Sequence, residues 1–576
     1  MSDHTSRTPR PADEPEPPEL SGQAGTSEPT ALSKAPLPQP RSTAPEPPKV
    51  PVHVQQGGQL YPPNPWRQGS SQQVSALSTL RPAAPAAIRG ATLGCVVVTA
   101  ALSALLLGDG LGANALIVAV PAALGAYFAA RTAGRRLRPW TAFWAVGGLA
   151  LLAVPALRDA GWPVFLAVVS AIALGSLALH GSRSWLGVFL GSLGLFSAVA
   201  DGLAWGGRGV HALTAGSRGR LGVVLRSVAV AVVLLIVFGA LFASADAAFA
   251  DVLGDLMPDV SLTGTPWRFL LFLVGLIGAL AAAYAAAAPI RWDGLTVRPG
   301  KARGRVEWAL PLIVLNLLFA VFIAVQLTVL LGGYDKVMAE TDLSYSGYAR
   351  QGFWQLLWAT VLTLLVIALA LRWAPRGRSS DRTLVRTVLG ALCLLTLIVV
   401  ASALRRMDLY VDAYGLTRLR ISVAAVELWL GVVLVLIMAA GVFGARMLPR
   451  AVAASAAVAV LAFGLISPDG LIAEQNVQRY RDDHSIDVAY LKDLSADAVP
   501  ALDTLPEPLR SCALLGIERS LRSDDVPWYA TSWGEARARD ILKRQPADPT
   551  QPCTGSRTGI GGSDRDIDES DPYDPY

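Results

Sequence analysis

Charge is scarce in this chain. Asp, Glu, Lys and Arg make up only 16% of its 576 residues, whereas an average soluble domain carries about 25%. That shortage excludes an ordinary water-soluble globule of this length. Histidine is scarcer still, with His4, His53, His180, His211 and His484 scattered along the chain and no HExxH zinc pattern among them. The four cysteines contain no CxxC pair, so neither a cysteine zinc site nor a thioredoxin-like redox motif is available. Phosphate loops are missing too. Gly294 to Lys301 superficially resembles one, but five residues separate Gly294 from Gly300, and Ala302 stands where a Ser or Thr must reach Mg²⁺. Gly108, Gly110 and Gly112 form only a tight connection between two helices, not the strand–turn–helix setting of a dinucleotide fingerprint. No cofactor, no metal and no catalytic set is expected. The net charge of +5 is modest, and its arginines lie between apolar segments, which excludes a nucleic-acid patch.

What the chain has instead is apolar length. Hydrophobic residues make up 52% of it, and its mean hydropathy is +0.43. From Gly90 to about Leu471 run eleven or twelve stretches of the ~20 apolar residues a helix needs to cross a bilayer. In lipid only helices and closed barrels satisfy the backbone. The reading is an all-α, polytopic integral membrane bundle of about 11 to 13 transmembrane helices, with the bilayer as its first partner. The candidate spans are Gly90–Leu107, Leu111–Ala130, Trp140–Leu157, Trp162–Leu179, Trp185–Ala204, Ser227–Ala245, Phe269–Ala288, Trp308–Leu331, Phe353–Leu371, Thr387–Leu404, Val423–Gly444 and Ala451–Leu471. Trp140, Trp162, Trp185, Trp267, Trp308 and Trp354 fall at span ends, as interfacial aromatics do.

Four sections follow. Residues 1–88 form a Pro-rich tail; 18 of the 39 prolines lie before Ile88, and such a composition cannot offset ordering entropy. It reads as a disordered, partly polyproline tail, either bait for a partner domain or simply solvated. Nothing near Met1 is apolar, so Gly90 onward is expected to act as a signal anchor. Residues 89–473 hold the spans. Residues 474–545 read as a small helical section outside the membrane, with an amphipathic helix over Leu509–Leu521 and a second helix opened by the capping pattern Ser532-Trp533-Gly534-Glu535. Residues 546–576 read as a disordered acidic end.

Arginine placement orients the bundle. Basic loops lie at Arg131–Arg138, Arg291–Arg305, Arg372–Arg386 and Arg446–Arg450, whereas the Asp246–Asp259 loop carries four acids and no base. Alternation puts the C-terminal section outside. One conflict arises: Arg208, Arg218, Arg220 and Arg226 also form a basic loop, which twelve crossings would place outward. Trp185–Ala204, with Gly187, Gly191 and Gly194, is the segment expected not to cross fully. Eleven crossings then leave the N-terminus cytoplasmic and the C-terminus extracytoplasmic. Cys512 and Cys553, both outside in this topology, are able to form a disulfide. Cys95 and Cys393 lie within spans as buried thiols.

Two stretches carry distinctive polar residues. In the first, Tyr345 to Phe353, Arg350 lies on the outer side against the positive-inside bias, where Tyr345 and Tyr348 can hold it. In the second, Asp408 to Arg420, a helix places Asp408 with Asp412 and Tyr410 with Tyr414 at i,i+4. Gly415 is placed to stop that helix and Thr417 to cap the next. Arg405, Arg406, Arg418 and Arg420 are expected to pair with the acids. The cluster either fixes a helix–turn–helix or binds an anionic group, a lipid head or an envelope partner. Tyr348–Phe353 (Tyr-Ala-Arg-Gln-Gly-Phe) and Leu409–Arg420 (Leu-Tyr-Val-Asp-Ala-Tyr-Gly-Leu-Thr-Arg-Leu-Arg) resemble the motifs of a bacterial membrane family, domain of unknown function 4173, related to 4153. Phe238–Asp246 resembles it as well. The likeness covers roughly Gly90 to Leu505. It implies a multipass membrane protein and transfers no catalytic residue; the expected location is the bacterial inner membrane.

Within the spans, polar groups are few and costly. Asn316 and Gln326 are expected to hydrogen-bond between helices. Glu427, about 10 Å along its helix from Arg420 at 1.5 Å per residue, needs a base, a proton or a water-filled cavity, and is expected to face the bundle interior with a partner from another helix. The leading functional expectation is a non-enzymatic envelope scaffold or sensor. A transporter or channel, and an enzyme on a lipid-linked substrate, are the alternatives.

Overall fold

The structure is a computed structural model. It describes residues 84–215, 265–295, 304–331, 353–374, 378–522, 526–553 and 557–558, with scattered positions between 227 and 242, all within the unit Gln68–Tyr576. Helices dominate. The membrane part comprises α1 (Gly90–Leu106), α2 (Ala113–Thr132), α3 (Pro139–Leu151), α4 (Val154–Leu157), α5 (Gly161–His180), α6 (Trp185–Ser192), α7 (Gly194–Ser197), α8 (Val199–Ala215), α9 (Thr265–Ala287), α10 (Arg305–Leu331), α11 (Phe353–Trp373), α12 (Ser379–Tyr414), α13 (Arg418–Phe443) and α14 (Leu448–Ile466). Beyond it lie α15 (Pro468–Asp483), α16 (Val488–Leu491), α17 (Val499–Leu502), α18 (Leu509–Arg522) and α19 (Trp533–Arg544). The two-residue strands β1 (Ile486–Asp487) and β2 (Arg557–Thr558) pair antiparallel.

Ten of these helical stretches are long and apolar enough to cross a membrane. The expected spans are found at Gly90–Asp109, Ala113–Thr132, Pro139–Leu157, Gly161–His180, Pro266–Ala287, Arg305–Leu327, Phe353–Trp373, Ser379–Tyr414, Arg418–Phe443 and Ala445–Ile466. Ser227–Ala245 lies mostly outside the described residues. Bulky side chains such as Phe165, Leu317 and Leu318 point outward from the spans, which water would penalise and lipid does not. The chain is a multipass membrane protein.

The spans pack in three groups: α1 and α2 on α9; α3 on α5, with α14 alongside; and α10, α11 and α13 around the long α12. Local chemistry sets several boundaries. Pro139, Pro449 and Pro468 stand in the first turns of their helices, where the missing N–H would find no intrahelical partner anyway. Gly415, at φ +79°, closes α12 by donating its N–H to Val411, and Thr417 caps α13 by accepting the Arg420 N–H. Asn316 reaches from α10 to the Val388 carbonyl of α12 at 3.2 Å, and Ser402 donates to Gln326 at 3.3 Å; both are bonds between helices.

The contacts sort the span ends into two faces. On one, arginines serve helix ends. Arg135 donates to the carbonyls of Ala286 and Leu179, and Arg450 donates to Ser182 and Gly181 at 2.9 and 3.0 Å. Arg305 pairs with Asp381, and the Asp293 carboxylate accepts the N–H groups of Arg183 and Ser184. Cations at helix C-termini and anions at N-termini follow the helix dipole. On the opposite face lie the connections 107–112, 158–160 and 415–417, the end of α14, and the described residues from α15 onward.

Trp185–Ala204 is not one helix. It is broken into α6, α7 and the start of α8. The segment enters beside Asp293, through Ser184, and its far end lies against the start of α1: the Trp205 indole donates to Ala86, and Gly209 abuts Ile88. Both ends therefore sit on the basic face. Close helix contacts explain the glycines: a Cβ on Gly194 would sit 2.5 Å from the His180 ring, and one on Gly202 3.1 Å from the Ala281 backbone. The N-terminal end of the described chain and the C-terminal section are on opposite faces.

Candidate functional site

The densest polar constellation is the seat on which residues 468–553 rest against the spans. It begins with a turn. Gly415 and Thr417 reverse the chain between α12 and α13, aiming the first residue of α13 at the N-terminus of α15. There Arg418 clasps Asp469 with two nitrogens, Nε at 2.9 Å and Nη2 at 2.5 Å. Asp469 has no solvent exposure, and Arg418 is 38% exposed. The Ser495 N–H also donates to Asp469, while Arg418 donates to the Asp493 carbonyl and its backbone N–H to the Tyr490 hydroxyl. Burial favours the protonated Asp469, but Arg418 and the Ser495 N–H outweigh it and hold the carboxyl below the ordinary carboxylate range.

Three further contacts complete the seat. Asn476 donates to the Leu416 carbonyl at 2.9 Å, and Arg479 to that of Ala413 at 2.7 Å, so α15 satisfies the exposed carbonyls at the turn. The Asp497 carboxylate accepts the N–H groups of Asp159 and Ala160, and Asp159 returns an acceptor to the Ala496 N–H at 3.0 Å. The positive Arg158 is close enough to oppose protonation of Asp497 but forms no ion pair with it among the described residues. Burial raises its proton affinity above the ordinary range, with the negative Asp159 adding to that and the two N–H groups opposing it. At the third contact, the Asn114 N–H donates to Tyr529 at 2.9 Å, and the Tyr529 hydroxyl to Asp109, which also pairs with Arg268. Gly112 is required here: a Cβ would lie 2.8 Å from the backbone of both Tyr529 and Ala530.

The seat is apolar as well as polar. Ile472, Val477, Leu491, Leu502 and Leu514 share one continuous core with Phe353, Val399, Ala403 and Val411 of the spans. Cys512 and Cys553 are joined by a disulfide that ties α18 to residues 546–553. Arg510, nearly fully buried, closes the same region by bonding Asp503 and the carbonyl of Gln545.

The residues singled out from the sequence fall in several places. Tyr348 and Arg350 lie outside the described residues. Asp408 pairs with Arg405 at 2.8 Å, both well exposed, while no base pairs with Asp412 among the described residues. Arg418 and Arg420 do not neutralise these acids as expected. Arg418 is turned toward Asp469, because α13 starts beyond the turn and faces α15. Arg420 stacks on Tyr410 at 4.2 Å and donates to the carbonyls of Tyr414 and Gly415, capping α12. Tyr410 and Tyr414 do contact each other, at 4.9 Å between rings. Glu427 is completely buried in the α11–α12–α13 group and accepts a hydrogen bond from Thr360 of α11 at 3.0 Å. Its second oxygen has no partner among the described residues. The acids that hold the seat, Asp469, Asp497 and Asp159, were not singled out. Asp469 follows Ser467-Pro468, a helix-start pattern, but nothing local names its distant arginine.

These features define a polytopic helical membrane protein that carries a folded section on one face. Residues 145–505 match the family model described as Domain of unknown function (DUF4153), and the chain belongs to that family. The match is to 4153, the relative that the resemblance also named; it does not confirm the 4173 name. No curated protein and no solved structure matches the chain.

Proposed function

We propose that this protein is a non-enzymatic scaffold or sensor of the bacterial envelope. It would sit in the cytoplasmic membrane with its N-terminus inside and residues 468–553 outside. The observation that carries the reading is the shared core and the four-point seat: the outer section is not tethered by a linker but built onto the spans, so a load or ligand on one is felt by the other. The orientation draws support from the arginine-rich loops gathered on the opposite face and from the Cys512–Cys553 disulfide, which suits an oxidising compartment. In this arrangement the Arg418–Asp469 clasp couples α13 to the outer section.

A transporter is the second reading, favoured by Glu427, a buried carboxyl with one unpartnered oxygen among the described residues. Complementation of a deletion strain under envelope stress separates the two. Trp533 is 54% exposed on the outer section. If the protein is a scaffold, Trp533→Ser should lose complementation while remaining folded, and Glu427→Leu should complement. If it is a transporter, Glu427→Gln should fold and fail, while Trp533→Ser should succeed.

A further inference from the structure

Consecutive spans α2 and α3 scarcely touch. α2 packs on α1 and α9, and α3 packs on α5 and α14. Between the two groups lies a cleft of about 410 Å³, within the ~300–1,000 Å³ range of small-molecule sites. Its walls are overwhelmingly small and apolar, with Ala123, Ala145 and Gly175 among them, so helices that approach elsewhere leave room here. A Cβ on Gly175 would meet nothing within 4 Å. One end differs from the rest: Arg131, Arg135 and Arg136 line it, together with Thr141.

The arginines are unequal. Arg135 is committed to the carbonyls of Ala286 and Leu179. Arg131 and Arg136 are exposed, and no carboxylate pairs with either among the described residues. Arg131 lies 5.9 Å from the centre of the Tyr127 ring, another lining residue. Burial, and after it the positive charge of Arg138, weakens proton binding at Arg135. An apolar slot ending in uncompensated guanidiniums complements a molecule with a hydrocarbon body and an anionic head.

We propose that the α2–α3–α5 cleft binds an anionic phospholipid, its acyl chain along Ala123, Ala145 and Gly175 and its phosphate at Arg131 and Arg136. The site is independent of the scaffold reading, since it lies on the opposite face from the outer section. A guanidinium recognises phosphate through charge-assisted, bidentate hydrogen bonds, and basic pockets between spans suit such headgroups. The hydrocarbon supplies the remaining recognition by leaving water.

Native mass spectrometry of the full-length protein in detergent tests the site, with phosphatidylglycerol and phosphatidylcholine of identical chains as probes. The wild type should retain phosphatidylglycerol preferentially. Arg131→Gln/Arg136→Gln should lower that preference by on the order of tenfold, while Gly175→Leu, which fills the slot, should reduce retention of both lipids. Thermal melting of each variant checks the fold. If Gly175→Leu does not fold, the arginine pair decides alone. Unchanged preference in the arginine variant would overturn the proposal. So would displacement of the lipid by glycerol 3-phosphate at equal concentration, because the acyl slot would then contribute nothing.

Discussion

Arg418 opens the helix of one span and Asp469 opens the helix that leaves the next, 51 residues later, and the two side chains meet with both carboxylate oxygens engaged. Asp469 contributes no surface to solvent. Burying an ionised carboxylate is costly unless a cation and further donors surround it, and here Arg418 and the Ser495 N–H supply both.

Removing one partner should therefore cost more than removing both. Arg418→Ala leaves Asp469 buried and uncompensated, and should destabilise the protein by about 3 kcal/mol. Asp469→Asn should be milder, because the Ser495 N–H keeps an acceptor. The double variant should fall short of the sum of the singles. Thermal unfolding in detergent provides the cycle; additive losses would show that the two groups act independently.

The same seat should respond to acid in two opposed ways. Asp469 has a lowered folded-state proton affinity, so its stabilisation is present above the ordinary carboxylate value and is lost as pH falls through the folded one. Asp497 has a raised affinity, so the folded state takes up its proton first and gains stability as pH falls from neutral toward the ordinary value. Melting temperature should rise on mild acidification and fall below about pH 4, the model carboxylate range. Asp497→Asn should reduce the rise, to which Glu535, its proton affinity also raised by burial, contributes as well, and Asp469→Asn should blunt the fall. A flat profile in the wild type would contradict both assignments.

Gly112 should be intolerant of even one methyl group. The nearest atoms to an added Cβ are backbone, at 2.8 Å, and backbone cannot rotate away as a flexible side chain can. Gly112→Ala should cost about 1–3 kcal/mol, the usual range for overpacking, and should speed hydrogen exchange around Tyr529. Gly278, with nothing within 4 Å of its Cβ position, is the control: Gly278→Ala should be neutral or slightly stabilising in its helix.

Reporter fusions after Ala87 and after Arg544 should give opposite signals. The described residues before α1 and those after α14 lie on opposite faces, and both ends of the α6–α8 segment lie on one. In the proposed orientation a thiol reagent that cannot cross the membrane should label Cys512 and Cys553 only after reduction. Equal reporter signals would require another crossing between α5 and α9.

Much of the fold was legible because the bilayer is a simple solvent. Twenty apolar residues in a row have few other homes, so the spans read from Gly90, Leu111, Trp162 and Val423 lie on helices found in the structure, and the stop at Gly415, the cap at Thr417 and the helix opened by Ser532 were legible too. The periodicity of Leu509–Leu521 likewise marked the face of α18 that packs inward. These are local effects, decided within a few residues. The partners were not local. Arg418 lay beside Asp408 and Asp412 in sequence and was assigned to them, yet it pairs with Asp469, because the direction in which α13 leaves its turn is set by packing against α15. Nothing in the local sequence marks Asp497; the fold brings the 159–160 backbone to it. The break within Trp185–Ala204 could be suspected from its glycines and from an arginine loop of the wrong sign, but only the contacts with Asp293 and Ile88 bring both its ends to one face. Apolar length and turn chemistry are written along the chain; which polar groups meet depends on how separate helices pack, and a single sequence carries no direct record of that.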